Sequence, residues 1–515
     1  MTGVSTEGKT MKKTGIFAVL ATACSFVMPS FSAPLVTPKV AADDWKVVYS
    51  SSEGPEGRAL EVLTEGMAPV LRDPTTTTSF LLPLEKCGSA KPLDRKHSIV
   101  IGRVGENPVL ACYLKPEDVP AGGYAMKAFM EGEKRVILLA GDTPAAVLWA
   151  AFDFLDAGIH EIRNARLKYP NSVSTRTFFS WKSTAPYSRT EKPATPVRSL
   201  FTWGHVIDGY RQFFREMARL RLNRVILWNE YPPLNAREVV DAAHSWGIDV
   251  YWGFAWGWAV DCVESSKNAT SLKALGDSIF DEWKNVWKPC GGDGIYFQSF
   301  TEQGNSQVGG RSIASMVVEL VNDVSSRIRA VSPTTDIVFG LHANSVRKNV
   351  GEIAKTDPSV EILWENCGGF PFYERRPPPA KYGPPNKAFV DEILAASDCV
   401  GLVWKCQVRQ DWRTWVHQPG PYMLGCAGDE LLERDRAMSD TMQPWYDAEW
   451  FMHGKDAYGL LRHVRAGKRQ PKELNLVTEY NPPFRFSTAV QAEMFWSTDG
   501  SYEDIVVRAQ LRSKK

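Results

Sequence analysis

Short apolar runs alternate with longer amphipathic stretches along most of this chain, and the rhythm changes near residue 198. Before that point His97–Val104 (HSIVIGRV) and Lys134–Asp142 (KRVILLAGD) are β-branched runs with glycine near their ends, which predict strands. Thr143–Ile159 predicts a helix, with Thr143 as N-cap, Pro144 in the first turn and Gly158 at the stop. The Pro- and Thr-rich tract Thr184–Val197 predicts a linker. Beyond it, eight strand-like runs follow one another: Ser199–His205, Asn223–Glu230, Ile248–Trp258, Asp293–Glu302, Asp336–Ser345, Val360–Gly369, Cys399–Gln410 and Pro421–Glu430. Helical patterns such as Asp208–Leu222 and Ser312–Val331 lie between them. The last stretch, with Met442–Val464 and Ser487–Leu511, is helical in pattern and is expected to pack against what precedes it.

Eight β–α repeats over about 235 residues match the usual size of a (β/α)8 barrel. A doubly wound open sheet would want a Gly-rich phosphate turn after its first strand, and the sequence has none there. The expected fold class is therefore α/β: a (β/α)8 TIM barrel preceded by a small α/β domain and followed by C-terminal helices. The boundaries read as 1–33 for an export signal, 34–190 for the N-terminal α/β domain, 195–432 for the barrel and 433–515 for the helical segment.

Composition changes this picture in three ways. At 515 residues the chain is too long for one ordinary core, and 44% hydrophobic with 23% charged residues is ordinary for a globular protein. The net charge of +1, with no long basic run, argues against a nucleic-acid or polybasic membrane partner. Trp is abundant, at 18, and many indoles sit beside Gly, Asn and Glu rather than in plain apolar runs, which suits stacking on the C–H faces of sugars.

Near the start, Met11-Lys12-Lys13, the apolar Ile16–Met28 and the small-residue Ser30-Phe31-Ser32 read as a secretory signal, so the protein is expected to be exported to the periplasm or beyond. That apolar stretch is too short for a comfortable membrane span, and no later segment is long enough. Cys24 faintly suggests lipoprotein anchoring, but apolar residues follow it and simple secretion is the preferred reading. Of the remaining cysteines, Cys87–Cys112 and Cys262–Cys290 are spaced for local disulfides, with free thiols as the equal alternative. No Cys-x-x-Cys or His-x-x-x-His spacing occurs, so neither a metal nor another cofactor is expected.

In a barrel of this kind the chemistry lies at the C-terminal ends of the strands. Those ends carry Trp203 and His205, then Trp228, Asn229 and Glu230, then Trp256 and Trp258. Further on come Gln298 and Glu302, His342 and Asn344, Trp364, Glu365 and Asn366, then Lys405, Gln407 and Arg409. Glycosidic bonds are usually cleaved between two carboxyl groups, one giving a proton to the leaving oxygen and the other serving as base, nucleophile or charge stabiliser. Glu302, Glu365 and Glu230 are the catalytic candidates, Glu302 as general acid with Glu365 as its partner. The aromatic and polar residues at the other ends are expected to bind the sugar, although each alone suits packing or rim hydrogen bonding equally well. Lys405 and Arg409, with Arg375-Arg376 in the sixth loop, hint at an acidic sugar.

The segments Ile99–Val104, Lys134–Ile159 and Glu216–Glu230 resemble secreted glycoside hydrolases that place a hexosaminidase-like α/β domain before a (β/α)8 barrel, β-N-acetylhexosaminidases and α-glucuronidases among them. The resemblance implies an exo-acting enzyme on an oligosaccharide or glycoprotein glycan, with Glu302 in the general-acid position. A hexosaminidase has an Asp-Glu pair there, and this chain has Thr301-Glu302, which departs from the mechanism using the substrate's own acetamido group. The export signal, the Trp-rich barrel and the basic residues also resemble a barrel-type sialidase acting on mucin glycans. On that resemblance the expected product is sialic acid first and hexuronic acid second, its carboxylate held by Arg409 or Arg198. Two alternatives stand beside it: an N-acetyl-β-hexosaminidase or α-glucuronidase, and a non-catalytic glycan-binding barrel.

Overall fold

The computed structural model describes residues 39–40, 45–68, 71, 80–90, 93, 97–158, 184–256, 269–298, 307–342, 348–365, 386–405, 416, 418–478 and 484–513. Residues 39–515 form one compact unit. The N-terminal layer begins with β1 (Trp45–Tyr49), α1 (Gly54–Met67), β2 (Leu84–Lys86) and β3 (His97–Arg103). It continues with β4 (Tyr124–Glu131), β5 (Lys134–Gly141), α2 (Pro144–Gly158) and β6 (Tyr187–Glu191). The strands form one sheet in the order β2-β1-β3-β5-β4-β6, parallel from β2 to β5 and antiparallel at β4 and β6. β5 is apolar almost throughout because both of its faces are covered. Ile137 and Leu139 join the core shared with α1 and α2, while Val136, Leu138 and Ala140 fill a second core on the far side. Thr143 caps α2 as expected, its Oγ1 accepting a hydrogen bond from the Ala146 amide at 3.2 Å.

One sequence expectation fails in this layer, and one pair of open alternatives is decided. The tract 184–197 is no simple linker, because residues 187–191 pair with β4 as the sixth strand. Its alternation was hidden by flanking Pro and Thr, yet Arg189 and Glu191 are engaged in an ion pair with each other at 2.7 Å, and Arg189 also reaches buried Asp153 at 3.2 Å. Cys87 and Cys112 are free thiols: Cys87 Sγ donates to Asn107 and Cys112 Sγ to the Pro108 carbonyl. Cys290 is also free, and Cys262 lies outside the described residues.

The second layer is a closed, all-parallel eight-stranded barrel. Its elements in chain order are β7 (Val197–Phe201), α3 (Tyr210–Arg219), β8 (Arg224–Trp228), α4 (Ala236–Ser245) and β9 (Asp249–Ala255). Next come α5 (Ala269–Glu282), β10 (Gly294–Gln298), α6 (Ile313–Val331), β11 (Asp336–His342), β12 (Glu361–Glu365), α7 (Asn386–Ala396) and β13 (Val400–Lys405). The chain closes with α8 (Asp429–Ala466), β14 (Glu473–Val477), α9 (Phe486–Trp496) and α10 (Tyr502–Arg512).

The first seven strands fall inside the runs read from the sequence, apart from shifts at their ends. The eighth does not. Pro421–Glu430 is loop leading into α8, and the strand that closes the barrel is β14, paired with β13 on one side and β7 on the other. The barrel therefore runs well past residue 432, and the stretch after 432 is part of it rather than an appendage. Glu473 and Asn475 broke the apolar run that would have marked this strand. Both are buried, because they point into the lower end of the barrel. There Glu473 pairs with Arg224, Asn475 donates to Ser199 at 2.6 Å, and Glu361 lies 3.1 Å from Arg224. Burial, then the neighbouring Glu473, raises the Glu361 carboxyl to about 7 against the pull of Arg224 and Lys472.

Above this charged floor sits a packed interior layer that includes Phe201, Ile226, Tyr251, Tyr296, Val338, Leu363, Val403 and Val477. Glycines make room for its larger members. A Cβ on Gly340 would lie 2.2 Å from the Tyr296 hydroxyl, and one on Gly253 would lie 2.9 Å from the Trp228 ring. The barrel is thus filled rather than hollow, and its free end is the rim where the strands finish.

Candidate active site at the barrel rim

Five residues take β12 from the charged floor to the rim, and its last residue is Glu365. Strand alternation turns Glu361, Leu363 and Glu365 inward, and Glu365 is 1% exposed. From the neighbouring strand the Lys405 ammonium approaches Glu365 Oε1 at 2.6 Å. From β10, Gln298 Nε2 donates to Glu365 Oε2 at 3.3 Å and to the Tyr296 hydroxyl at 2.9 Å. Three strand ends therefore meet on one carboxylate. A buried carboxylate unpaired with a cation would be costly, so Lys405 both neutralises it and fixes its direction. Gln298 adds a second constraint from the opposite side.

The aromatic side of the rim is made by the first two strands. Trp203 packs edge-on to Phe201 with ring centroids 4.7 Å apart and lies 5.6 Å from Trp228. Trp203 has a φ of 42° and Gly204 a φ of 71°, two left-handed residues in succession. A bulky residue in that region stores strain, and such strain gathers at binding and catalytic sites. Here it turns the indole into the interior cluster. His205 follows directly; its Nδ1 donates to the Thr478 carbonyl at 3.1 Å, which leaves Nε2 as the acceptor. That Nε2 is buried and has no hydrogen-bond partner among the described residues. Burial pushes the His205 imidazole down to about 4, so it is neutral above mildly acidic pH.

The remaining expected site residues divide into three groups. Glu230 and Asn229 are at the rim but differ in setting: Glu230 is exposed, and Asn229 is buried and tied to the loops around it. β8 and β12 stand on opposite sides of the barrel, so Glu230 and Glu365 flank the mouth. His342 ends β11 in register with Glu365. Glu302, Trp258, Asn344, Asn366, Gln407 and Arg409, with Arg375 and Arg376, lie outside the described residues.

Three expected substrate contacts are corrected. Arg198 is at the second position of β7, the end of the barrel away from the rim. It is 1% exposed, donates to the Arg221, Thr195 and Pro196 carbonyls, and stacks on Trp149 and Trp496 at 4.9 and 5.2 Å. Trp256 stacks on Phe297 at 3.6 Å, and Trp364 packs on Phe389 of α7 at 4.9 Å. Both indoles belong to the layer between barrel and helices, because Trp364 in β12 and Trp256 just past the end of β9 both have the outward parity of their strands. The residues missed from the sequence are Tyr296, which holds Gln298 from the middle of a run marked only as apolar, and Thr478, which holds His205 and follows the strand that the pattern did not mark.

The path of the chain resembles that of several carbohydrate-active proteins of known structure. The β-N-acetylhexosaminidase from Bacteroides fragilis aligns with a TM-score of 0.43 at 10% identity, over 92% of this chain and 87% of that one. A GH138 enzyme targeting pectin rhamnogalacturonan II aligns with a TM-score of 0.46 at 10% identity, over 89% of this chain and 64% of that one. A glycoside hydrolase family 20 β-N-acetylglucosaminidase aligns with a TM-score of 0.38 at 11% identity, over 76% and 80%. No family model and no curated protein matches the sequence.

Proposed function

We propose that this protein is a glycoside hydrolase that removes a terminal sugar from an oligosaccharide or glycoprotein glycan, with Glu365 as a catalytic carboxylate. One observation carries the reading: a carboxylate at the C-terminal end of a barrel strand, held by Lys405 and Gln298 from two other strands, on a rim that also carries Trp203 and Trp228. In this scheme Glu365 stabilises the positive charge that develops on the sugar as the bond breaks, and Glu302 donates the proton to the leaving oxygen. In the same scheme His205, neutral and with no partner for Nε2 among the described residues, lies beneath the sugar as an acceptor reached on binding, and the nearly buried indoles of Trp203 and Trp228 form the apolar floor under the ring.

The described part of the rim favours a neutral sugar, an N-acetylhexosamine included. Lys405 is engaged with Glu365, and Arg198 is at the other end of the barrel, so neither is placed to receive a sugar carboxylate. An acidic sugar, sialic before hexuronic, is the second reading, and it rests on Arg409, four residues beyond the end of β13. The leader-like pattern of Met11–Ser32 is the support for action outside the cytoplasm.

The test is sugar release from a mixed mucin O-glycan pool and a panel of aryl glycosides, with product identification. Glu365→Gln, nearly isosteric, is expected to lower kcat by about a thousandfold or more while leaving glycan binding in place. Wild-type protein that binds glycans and liberates no sugar from any of them would replace this reading by that of a binding barrel.

A further inference from the structure

The loop after β8 and the segment 418–424 are stitched together beside the mouth. Asn229 Oδ1 accepts from the Glu230 and Tyr231 amides at 2.7 and 3.5 Å, and its Nδ2 donates to the Gln418 carbonyl at 3.3 Å. The Leu234 amide donates to the Tyr422 carbonyl at 2.8 Å. Asn235 and Leu424 exchange two hydrogen bonds at 3.1 and 2.9 Å. The Gln418 amide donates to Gly204, which ties this assembly to the strained turn that carries Trp203. Its underside, Tyr422 and Leu424, is buried. Its upper side is apolar and open: Tyr231 is 52% exposed, Leu234 73% and Met423 44%. Tyr231 lies so close to Gly420 that a Cβ there would be 2.2 Å from its ring, so the backbone fixes the position of the phenol.

Single exposed apolar side chains are commonplace. Three of them on two loops immobilised by buried asparagines, at the rim of a barrel and beside the exposed carboxylate of Glu230, are a rigid ledge. We infer that this ledge, with Tyr231 at its centre, is the subsite for the sugar units on the leaving-group side of an oligosaccharide. The inference rests on the glycosidase reading and extends it from the terminal sugar to the rest of the glycan. A pyranose offers an apolar C–H face and a belt of hydroxyls. The ring of Tyr231 with Leu234 and Met423 suits the first, and Glu230 as acceptor suits the second. The ledge is continuous with the candidate site, because Asn229 and Glu230 directly follow Trp228 in the loop that carries it.

The experiment uses full-length protein carrying Glu365→Gln on an immobilised mucin O-glycan and neutral oligosaccharide array, followed by titration of the glycans retained. Adding Tyr231→Ala is expected to weaken binding of glycans of three or more sugars about tenfold, the size of one aromatic stacking contact, with no change for the terminal monosaccharide. Tyr231→Phe should bind as the parent does, and Met423→Ala should show a smaller loss of the same length dependence. With the active protein, Tyr231→Ala should raise KM for oligosaccharides far more than for the glycosyl fluoride of the same terminal sugar, whose leaving group is too small to reach the ledge. Equal loss for one sugar and for four, no loss at all, or an array with nothing bound would overturn the ledge. Sugar release that persists with unaltered length preference in Tyr231→Ala removes the ledge and keeps the hydrolase. Length-dependent binding without any sugar release removes the hydrolase and keeps the ledge.

Discussion

A carboxylate and an ammonium 2.6 Å apart in a dry setting are worth less as a pair than either costs alone. That asymmetry makes Lys405 a positioning residue whose role can be separated from simple structural support. Lys405→Met strands the Glu365 charge and is expected to lower stability by about 3 kcal/mol, read by urea unfolding, and to abolish sugar release. Adding Glu365→Gln to it removes the stranded charge, so the double variant should regain most of the lost stability and none of the activity. A double variant no more stable than Lys405→Met would mean that the two side chains do not act as a pair. The rim glutamates were visible in the sequence because each follows an apolar run. The difference between them was not, since exposure at Glu230 and burial at Glu365 come from loops and neighbours far away in the chain.

Seven strands were legible because their outward residues are apolar and their inward middle residues are apolar too. β14 was hidden because the barrel floor it completes is charged, so Glu473 and Asn475 read as surface positions while Leu474 and Leu476 face the helices. The same logic misplaced Trp256 and Trp364, whose position near a strand end said nothing about which face they occupy. The long helix α8, 38 residues and about 57 Å by the usual rise, carries the chain from the end of β13 towards the start of β14. A chain ending at residue 432 therefore lacks the strand that closes the barrel, with open edges on β13 and β7. Such a truncation is expected to give no cooperative unfolding transition and rapid proteolysis, whereas a dispensable helical tail would leave both unchanged.

Across the whole molecule, the N-terminal layer is fixed to the barrel by buried ion pairs that link distant parts of the chain. Arg512 of α10 reaches Asp153 of α2 at 2.6 Å and Asp156 at 3.6 Å, while Arg219 of α3 meets Asp156 at 2.9 Å. Glu493 of α9 gathers Arg221, Arg508 and Arg512. Although burial opposes it, the three arginines hold the Glu493 carboxyl down at about 2. A carboxyl held below its unfolded value of 4.5 stabilises the fold above pH 4.5, and this stability drains away as pH falls towards 2. The shift corresponds to roughly 3 kcal/mol. Glu493→Gln should thus lose about that much at neutral pH and show a shallower acid limb in the pH dependence of unfolding, a pattern that loss of packing alone would not give. None of this network was readable beforehand, for its members are spread from residue 153 to residue 512.

The sealed lower end of the barrel has a consequence for traffic. With Arg224, Glu361 and Glu473 locked together beneath a layer of aromatic and branched side chains, nothing passes along the axis. The vessel is blind: on the proposed reading, glycan, attacking water, freed sugar and trimmed remainder would all use one doorway, and a turnover would end only when that doorway clears.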